Sequence, residues 1–173
     1  MTSQLLTIEQ INALDRGQFV ERLGFVFERS PWVAEATWSA RPFANLDALH
    51  AALCASMRAA APERQLELIR AHPDLAGKAA VANELTREST REQASAGLNR
   101  LTPGEFARFN ALNTAYREQF GFPFIICVRE HTKASILASF EERLAHGREA
   151  EIDTALGEIA KIARLRLADA VAS

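Results

Sequence analysis

The sequence has little glycine, proline or cysteine, and each scarcity excludes something. Its 173 residues include 8 glycines and 6 prolines, so helix-breaking residues are few and the composition favours helices. The 2 cysteines, Cys54 and Cys127, lie far apart and among apolar residues. This excludes a disulfide scaffold and a cysteine-based zinc site, and it predicts reduced, packed thiols.

The sequence also lacks long apolar runs and an excess of charge of one sign. No stretch approaches the length of a membrane span, and residues 1–10 lack the basic start and apolar run of a secretory signal. The net charge of -2 gives no electrostatic argument for nucleic acid or an anionic membrane as a partner. We therefore expect a soluble, cytoplasmic protein that binds neither.

Several familiar chemical motifs are missing as well. There is no phosphate-binding loop, no dinucleotide fingerprint and no serine-hydrolase elbow. The sequence holds no pair of histidines four residues apart and no closely spaced cysteine pair, and His72 with Asp74 alone is not a ligand set. We expect no metal site.

Helix start signals recur along the whole chain. Apolar residues follow them at helical spacing, and the stripe from Phe106 to Phe120 is the longest before a stop at Gly121. Further helices are expected over residues 133–146 and from about 149 to 170. The sequence therefore predicts an all-α fold of roughly seven to nine helices in a single domain over residues 1–173. The expected N-terminal caps are Thr7, Asp15, Ser30, Asn45 and Thr102.

Residues 122–128 are apolar and partly β-branched, which is compatible with a buried strand. A lone strand has no neighbour to pair with, so we favour an extended segment that turns into a helix. Its backbone amides then need partners, and a ligand can supply them.

His72 stands at the junction between a helix and a turn. The residues from Pro62 to Arg70 favour a helix, and Pro73 disfavours helical backbone at His72. We expect the imidazole to be held but not buried, and its ordinary pKa near neutrality suits it to proton exchange. The alternative is a histidine that only binds the last carbonyls of the helix.

A second polar group lies on residues 89–97. Ser89, Glu92 and Gln93 share one helical face, and the small Ala96 continues it. This face is either a solvated surface or the polar wall of a pocket. Arg129, directly after the apolar segment, is either a surface side chain or a group that holds a carboxylate.

Three segments together resemble a known signature. They are His-Pro-Asp-Leu-Ala-Gly at residues 72–77, Ser-x-x-Glu-Gln-x-x-Ala-Gly-Leu at 89–98, and Phe-Gly-Phe-Pro-Phe-Ile-Ile at 120–126. Their order and spacing resemble those of the OHCU decarboxylase family. The resemblance extends from Leu6 to about Ala168.

The resemblance implies an all-α fold, a homodimer, and no metal or organic cofactor. The implied substrate is a small molecule, 2-oxo-4-hydroxy-4-carboxy-5-ureidoimidazoline (OHCU), which is decarboxylated to (S)-allantoin in the last step of urate breakdown. Because the chain does not end in a peroxisomal tripeptide, a bacterial-type cytoplasmic enzyme is expected.

The resemblance also assigns roles to residues. His72 is implied as the catalytic acid, and Glu92 as the carboxylate that works with it. Arg129 is matched only by its position after the third segment. The implied substrate-binding residues are Pro73, Ser89, Gln93, Phe124, Ile125, Ile126, Cys127, Val128 and Arg129.

Three other functions stay open on the sequence alone. One is a lyase of the same fold that acts on a related ureido acid. Another is a helical binding protein that keeps the pocket without turnover. The third is a metalloenzyme, which loss of activity on chelation would reveal.

Overall fold

The structure, a computed structural model, describes residues 4–77 and 84–172. These residues form nine α-helices and no strand beyond an isolated bridge between Leu6 and Val171, which confirms the all-α prediction. The helices are α1 (Ile8–Ala13), α2 (Arg16–Leu23), α3 (Trp32–Thr37), α4 (Leu46–Ala59), α5 (Pro62–Ala71), α6 (Arg87–Ser95), α7 (Pro103–Phe120), α8 (Lys133–Arg143) and α9 (Arg148–Ala170).

Most of the predicted helix starts are confirmed. Thr7, Asp15 and Thr102 each form a capping box, and the Asn45 side chain accepts a hydrogen bond from the Ala48 amide. These local bonds satisfy amides that have no partner within the helix. They explain why the sequence alone is enough to locate these starts.

Two helix ends differ from the prediction. Ser30 does not cap α3, because its hydroxyl donates to the Glu28 carbonyl at 2.8 Å and Pro31 takes the cap position. Helix α8 ends at Arg143 and not at His146. The amides of Ala145 and His146 bond three residues back, to Glu142 and Arg143, which tightens the chain out of α-helical geometry.

The chain forms two compact units, and their boundaries in sequence fall within α5 and α9. The first unit comprises Met1–Leu68 and Ala160–Ser173, and the second comprises Ile69–Ile159. The single domain predicted over residues 1–173 stays a prediction. Within residues 4–77 and 84–172, no helix is long and apolar enough to cross a membrane.

The first unit packs α2, α3 and α4 around buried apolar side chains such as Phe19, Val33 and Leu53. It also buries one ion pair, in which Arg166 Nη2 lies 2.8 Å from Glu28 Oε2. Arg166 Nη1 donates to the Phe25 carbonyl at 3.1 Å.

The core of the second unit is largely aromatic. Tyr116 of α7 contacts the rings of Phe120, Phe122, Phe124 and Phe140. Helix α7 stops at Gly121, whose φ of 80° is left-handed and therefore suits glycine. Residues 122–127 contain no strand and lead into a 3₁₀ turn, Val128–Glu130, which confirms the prediction of an extended segment that turns into a helix.

Candidate active site

All of the predicted site residues belong to the second unit. Helix α5 ends at Ala71, so His72 is the first residue after it, as predicted. The expectation that His72 is not buried is wrong, because only 7% of it is exposed. The turn that follows is fixed by side chains from α6 and α7 within the same unit, and it does not project into solvent.

Three side chains hold the turn at residues 74–76 through four bonds. Gln93 of α6 accepts a hydrogen bond from the Ala76 amide at 2.9 Å and donates to the Asp74 carbonyl at 3.4 Å. Asn113 of α7 donates to the Leu75 carbonyl at 2.9 Å. Arg117, one helical turn further on, pairs with the Asp74 carboxylate at 2.8 Å. These bonds hold the backbone two to four residues after His72.

The same turn has unusual backbone geometry at Ala76 and Gly77. Ala76 has a φ of 52°, a left-handed conformation that costs free energy for a residue other than glycine. A Cβ at Gly77 would lie 2.8 Å from Asp74 Cβ, so any larger residue there would move the turn. The Gly77 of the first motif is therefore explained by close approach.

The polar face of α6 points into the protein. Ser89 and Gln93 are buried, and Glu92 is half-buried. The alternative that this face is a solvated surface is therefore wrong. The helix is capped by the Thr86 side chain, which accepts from the Ser89 amide at 3.2 Å.

The extended segment lies deep in the second unit. All five residues from Phe124 to Val128 are buried. Arg143 Nη1 donates to the Ile125 carbonyl at 2.6 Å, and the Cys127 amide donates to Glu158 Oε1 at 3.4 Å. Two buried charged side chains therefore hold consecutive peptide groups of this segment, the one between residues 125 and 126 and the one between residues 126 and 127.

Contacts link the second motif to the third. Helix α6 packs against the 3₁₀ turn Val128–Glu130. The pKa of the Cys127 thiol is raised to about 11, mainly by burial and then by the negative charges of Glu130, Glu158 and Glu92 in that order of size. The charge of Glu92 therefore acts on Cys127, the residue directly after the third motif.

The other predicted residues are more peripheral. Pro73 is half-buried and Arg129 is exposed within the 3₁₀ turn. Cys54 and Cys127 are free thiols, as predicted. Within the two described ranges, no group of three or more His, Cys, Asp or Glu side chains is arranged to hold a metal ion.

Four residues near the site were missed by sequence reasoning: Asn113, Arg117, Arg143 and Glu158. Asn113 and Arg117 lie one turn apart on α7, so the sequence predicts that they share a face of the helix. The sequence does not predict what they bind, because their partners lie in a turn far away in sequence. Arg143 and Glu158 gave no signal, because a charged residue on a helix is usually solvated.

The matches to known proteins cover most of the chain, including the candidate site. The family model described as OHCU decarboxylase matches residues 12–168. A protein from Halalkalicoccus jeotgali named 2-oxo-4-hydroxy-4-carboxy-5-ureidoimidazoline decarboxylase is 46% identical over 94% of this chain and 90% of its own length.

Two solved structures are similar in fold. One, titled as a crystal structure of (S)-allantoin synthase, superposes with a TM-score of 0.77 at 33% identity, over 96% of this chain and 54% of that one. The other is OHCU decarboxylase crystallised in the presence of (S)-allantoin, with a TM-score of 0.64 at 25% identity, over 79% of this chain and 88% of that one.

The fold, the site and these matches define an enzyme of the carboxy-lyase class, a decarboxylase. The chain belongs to the OHCU decarboxylase family.

Proposed function

We propose that this protein decarboxylates 2-oxo-4-hydroxy-4-carboxy-5-ureidoimidazoline to (S)-allantoin without a cofactor, with His72 as the catalytic acid and Glu92 as its partner. The observation that carries the proposal is the linkage of the three motifs in one unit. Gln93 of the second motif bonds the turn of the first, and the helix that contains Gln93 packs against the 3₁₀ turn that follows the third.

The substrate's chemistry explains what such a site has to provide. The substrate carries a carboxylate, a hydroxyl and a ureido group on a five-membered ring, so it needs several hydrogen-bond partners. When the bond to the carboxylate breaks, carbon dioxide leaves and its electron pair moves into the ring as an enolate-like species. A proton must then add to one face of that carbon to give the (S) product.

His72 and Glu92 fit the proton chemistry. His72 directly precedes a turn whose backbone is anchored at residues 74–76, and this restrains the backbone from which its imidazole extends. It can hydrogen-bond the substrate hydroxyl or deliver the proton to the carbanion centre. A carboxylate such as Glu92 orients an imidazole and favours its charged form.

The extended segment fits the charge stabilisation. Preorganised backbone amides stabilise negative charge that develops in a transition state. The amides of Ile125 and Ile126 are the proposed donors. The Cys127 amide already donates to Glu158, so we give it no such role. The residues proposed to bind the substrate are Pro73, Ser89, Gln93, Phe124, Ile125, Ile126, Cys127, Val128 and Arg129.

The assembly and the location of the protein are also proposals. We propose a homodimer in the cytoplasm. Light scattering of the purified protein tests the first of these, since a mass near twice 19.1 kDa is expected for a dimer.

A coupled assay tests the function. Urate is converted by urate oxidase and hydroxyisourate hydrolase, and circular dichroism follows the product with and without this protein. We expect rapid appearance of optically active (S)-allantoin only when the protein is present. Slow racemic product at the rate of the protein-free control contradicts the proposal. A panel of related ureido acids then tests for a different substrate, and calorimetry tests for binding without turnover.

A further inference from the structure

A buried ionic cluster lies directly beneath the extended segment. Arg143 Nε lies 2.8 Å from Glu151 Oε1, and the same carboxylate oxygen accepts a hydrogen bond from the Tyr116 hydroxyl at 2.5 Å. The other oxygen of the Glu151 carboxylate lies 3.0 Å from His146 Nδ1. Arg143 also stacks over the Phe124 ring, with its guanidinium carbon 4.2 Å from the ring centre. Arg143 Nη1 links the cluster to the backbone of the segment by donating a hydrogen bond to the Ile125 carbonyl.

This cluster is not what stability alone would select. Glu151 is 0% exposed and Arg143 only 6%, and desolvating two charges often costs as much as their attraction returns. Arg143 Nη2 is buried and has no hydrogen-bond partner among the described residues, which adds a further cost. Apolar side chains of similar volume fill such a space at least as well. Burial alone does not assign a role, since Arg166 and Glu28 form a similar buried pair in the other unit. Arg143 differs in its unpaired Nη2 and in the site segment that it binds.

Peptide geometry connects Arg143 to the amide of Ile126. A trans peptide is planar, and its carbonyl and its N–H point in opposite directions. The carbonyl of Ile125 and the amide of Ile126 belong to one peptide group, so fixing the first fixes the second. A cation bound to the carbonyl oxygen also polarises the group and strengthens its N–H as a donor.

We infer that Arg143 is a positioning residue that aims and polarises the Ile126 amide, with Glu151 holding Arg143 in place. The inference rests on the proposed function, in which the Ile126 amide stabilises the charge left by decarboxylation. It adds a residue for that reaction which does not itself touch the substrate. Removing Arg143 should therefore weaken the transition state more than substrate binding.

The other unit offers a matched control. Arg166 is buried, pairs with the buried Glu28 at 2.8 Å and donates to a backbone carbonyl, that of Phe25. It belongs to the unit that contains none of the candidate site residues. The double variants R143M/E151Q and R166M/E28Q each remove both members of one buried pair. In R143M/E151Q, the side-chain carbonyl oxygen at position 151 can still accept the hydrogen bond from the Tyr116 hydroxyl.

Turnover is the first measurement, made on variants whose far-ultraviolet circular dichroism matches that of the unsubstituted protein. For R143M/E151Q we expect kcat to fall by about tenfold or more while KM changes by less than about threefold. For R166M/E28Q we expect kcat within about twofold of the unsubstituted value. Equal kcat losses in both variants, or none in R143M/E151Q, would overturn the inference.

The second measurement does not depend on turnover. In ¹H–¹⁵N spectra, the Ile126 amide proton of R143M/E151Q should move upfield and exchange faster, while that of R166M/E28Q should not. If R143M/E151Q does not fold, R143K replaces it, since it keeps the charge but cannot reproduce the two-sided contact. An unchanged Ile126 amide overturns the inference. An unsubstituted protein that makes no (S)-allantoin overturns the proposed function, and the Ile126 amide signal then still tests whether Arg143 positions that amide.

Discussion

The side-chain oxygen of Gln93 accepts a 2.9 Å hydrogen bond from the backbone amide of Ala76, four residues after His72. The bond joins two motifs through residues that lie 17 apart in sequence, and it fixes the turn that follows the proposed acid. The Gln93 nitrogen donates to the Asp74 carbonyl of the same turn. The amide therefore has a structural task in addition to the substrate contact proposed for it.

Replacing Gln93 with Ala should impair both binding and catalysis. Loss of the proposed substrate contact raises KM, and loosening of the turn behind His72 lowers kcat. The free energy of unfolding should fall by about 1–3 kcal/mol, because the buried Ala76 amide loses its acceptor. Steady-state kinetics and urea unfolding measure these effects. Gln65→Ala is the matched control, since Gln65 also holds backbone carbonyls but in the other unit. A Gln93→Ala enzyme with unchanged KM and kcat would contradict both roles.

Replacing Glu92 with Gln should lower turnover and preserve the fold. The substitution keeps the size of the side chain but removes the charge proposed to orient His72. We expect kcat to fall by about a hundredfold, which corresponds to about 2.7 kcal/mol of transition-state stabilisation. Glu88→Gln, on the same helix, should leave kcat close to the unsubstituted value. Equal activity of the Glu92→Gln and Glu88→Gln enzymes would remove Glu92 from the mechanism.

Asn113 gives a test of the anchored turn away from the substrate. The substitution Asn113→Ala leaves the Leu75 carbonyl without its donor, and an unpaired buried group costs about 1–3 kcal/mol of the free energy of unfolding. Asn110→Ala is the comparison, because Asn110 lies on the same helix and its amide only bonds back to the Phe106 carbonyl. Urea unfolding should show the larger loss for Asn113→Ala. The idea fails if the two variants unfold alike.

Cys127 should resist alkylation in the folded protein. Its thiol pKa is raised to about 11, so the reactive thiolate is only about one part in a thousand at pH 8 and grows as the pH rises towards 11. Burial raises the pKa of Cys54 as well. Mass spectrometry after iodoacetamide treatment at pH 8 should find Cys127 unlabelled in the folded protein and labelled in urea. Rapid labelling of Cys127 under native conditions would show that the segment opens.

The sequence predicted most of the helix ends that depend on bonds between residues close together in the chain. Capping boxes at Thr7, Asp15 and Thr102 are made by residues three apart, so a pattern of four residues is sufficient to predict them. Gly121 ended its helix for the same kind of reason. Ser30 failed because its hydroxyl had an equally local alternative, the carbonyl of Glu28.

The site was predictable in its motifs but not in its supports. A helical face bearing Ser89 and Gln93 can point outward or inward, and only tertiary packing decides which. The burial of His72 likewise follows from anchors on distant helices. Arg143 looks like an ordinary last-turn cation until the carbonyl it binds, eighteen residues earlier, is known.

The role of His72 is best tested by comparing three proteins in the coupled urate assay. These are the unsubstituted protein, His72→Ala, and His50→Ala as a control from the other unit. The proposed role of His72 as catalytic acid predicts fast formation of (S)-allantoin by the unsubstituted and His50→Ala proteins. It predicts a loss of about a hundredfold in kcat for His72→Ala. A His72→Ala protein that is folded and makes (S)-allantoin at the unsubstituted rate would contradict it.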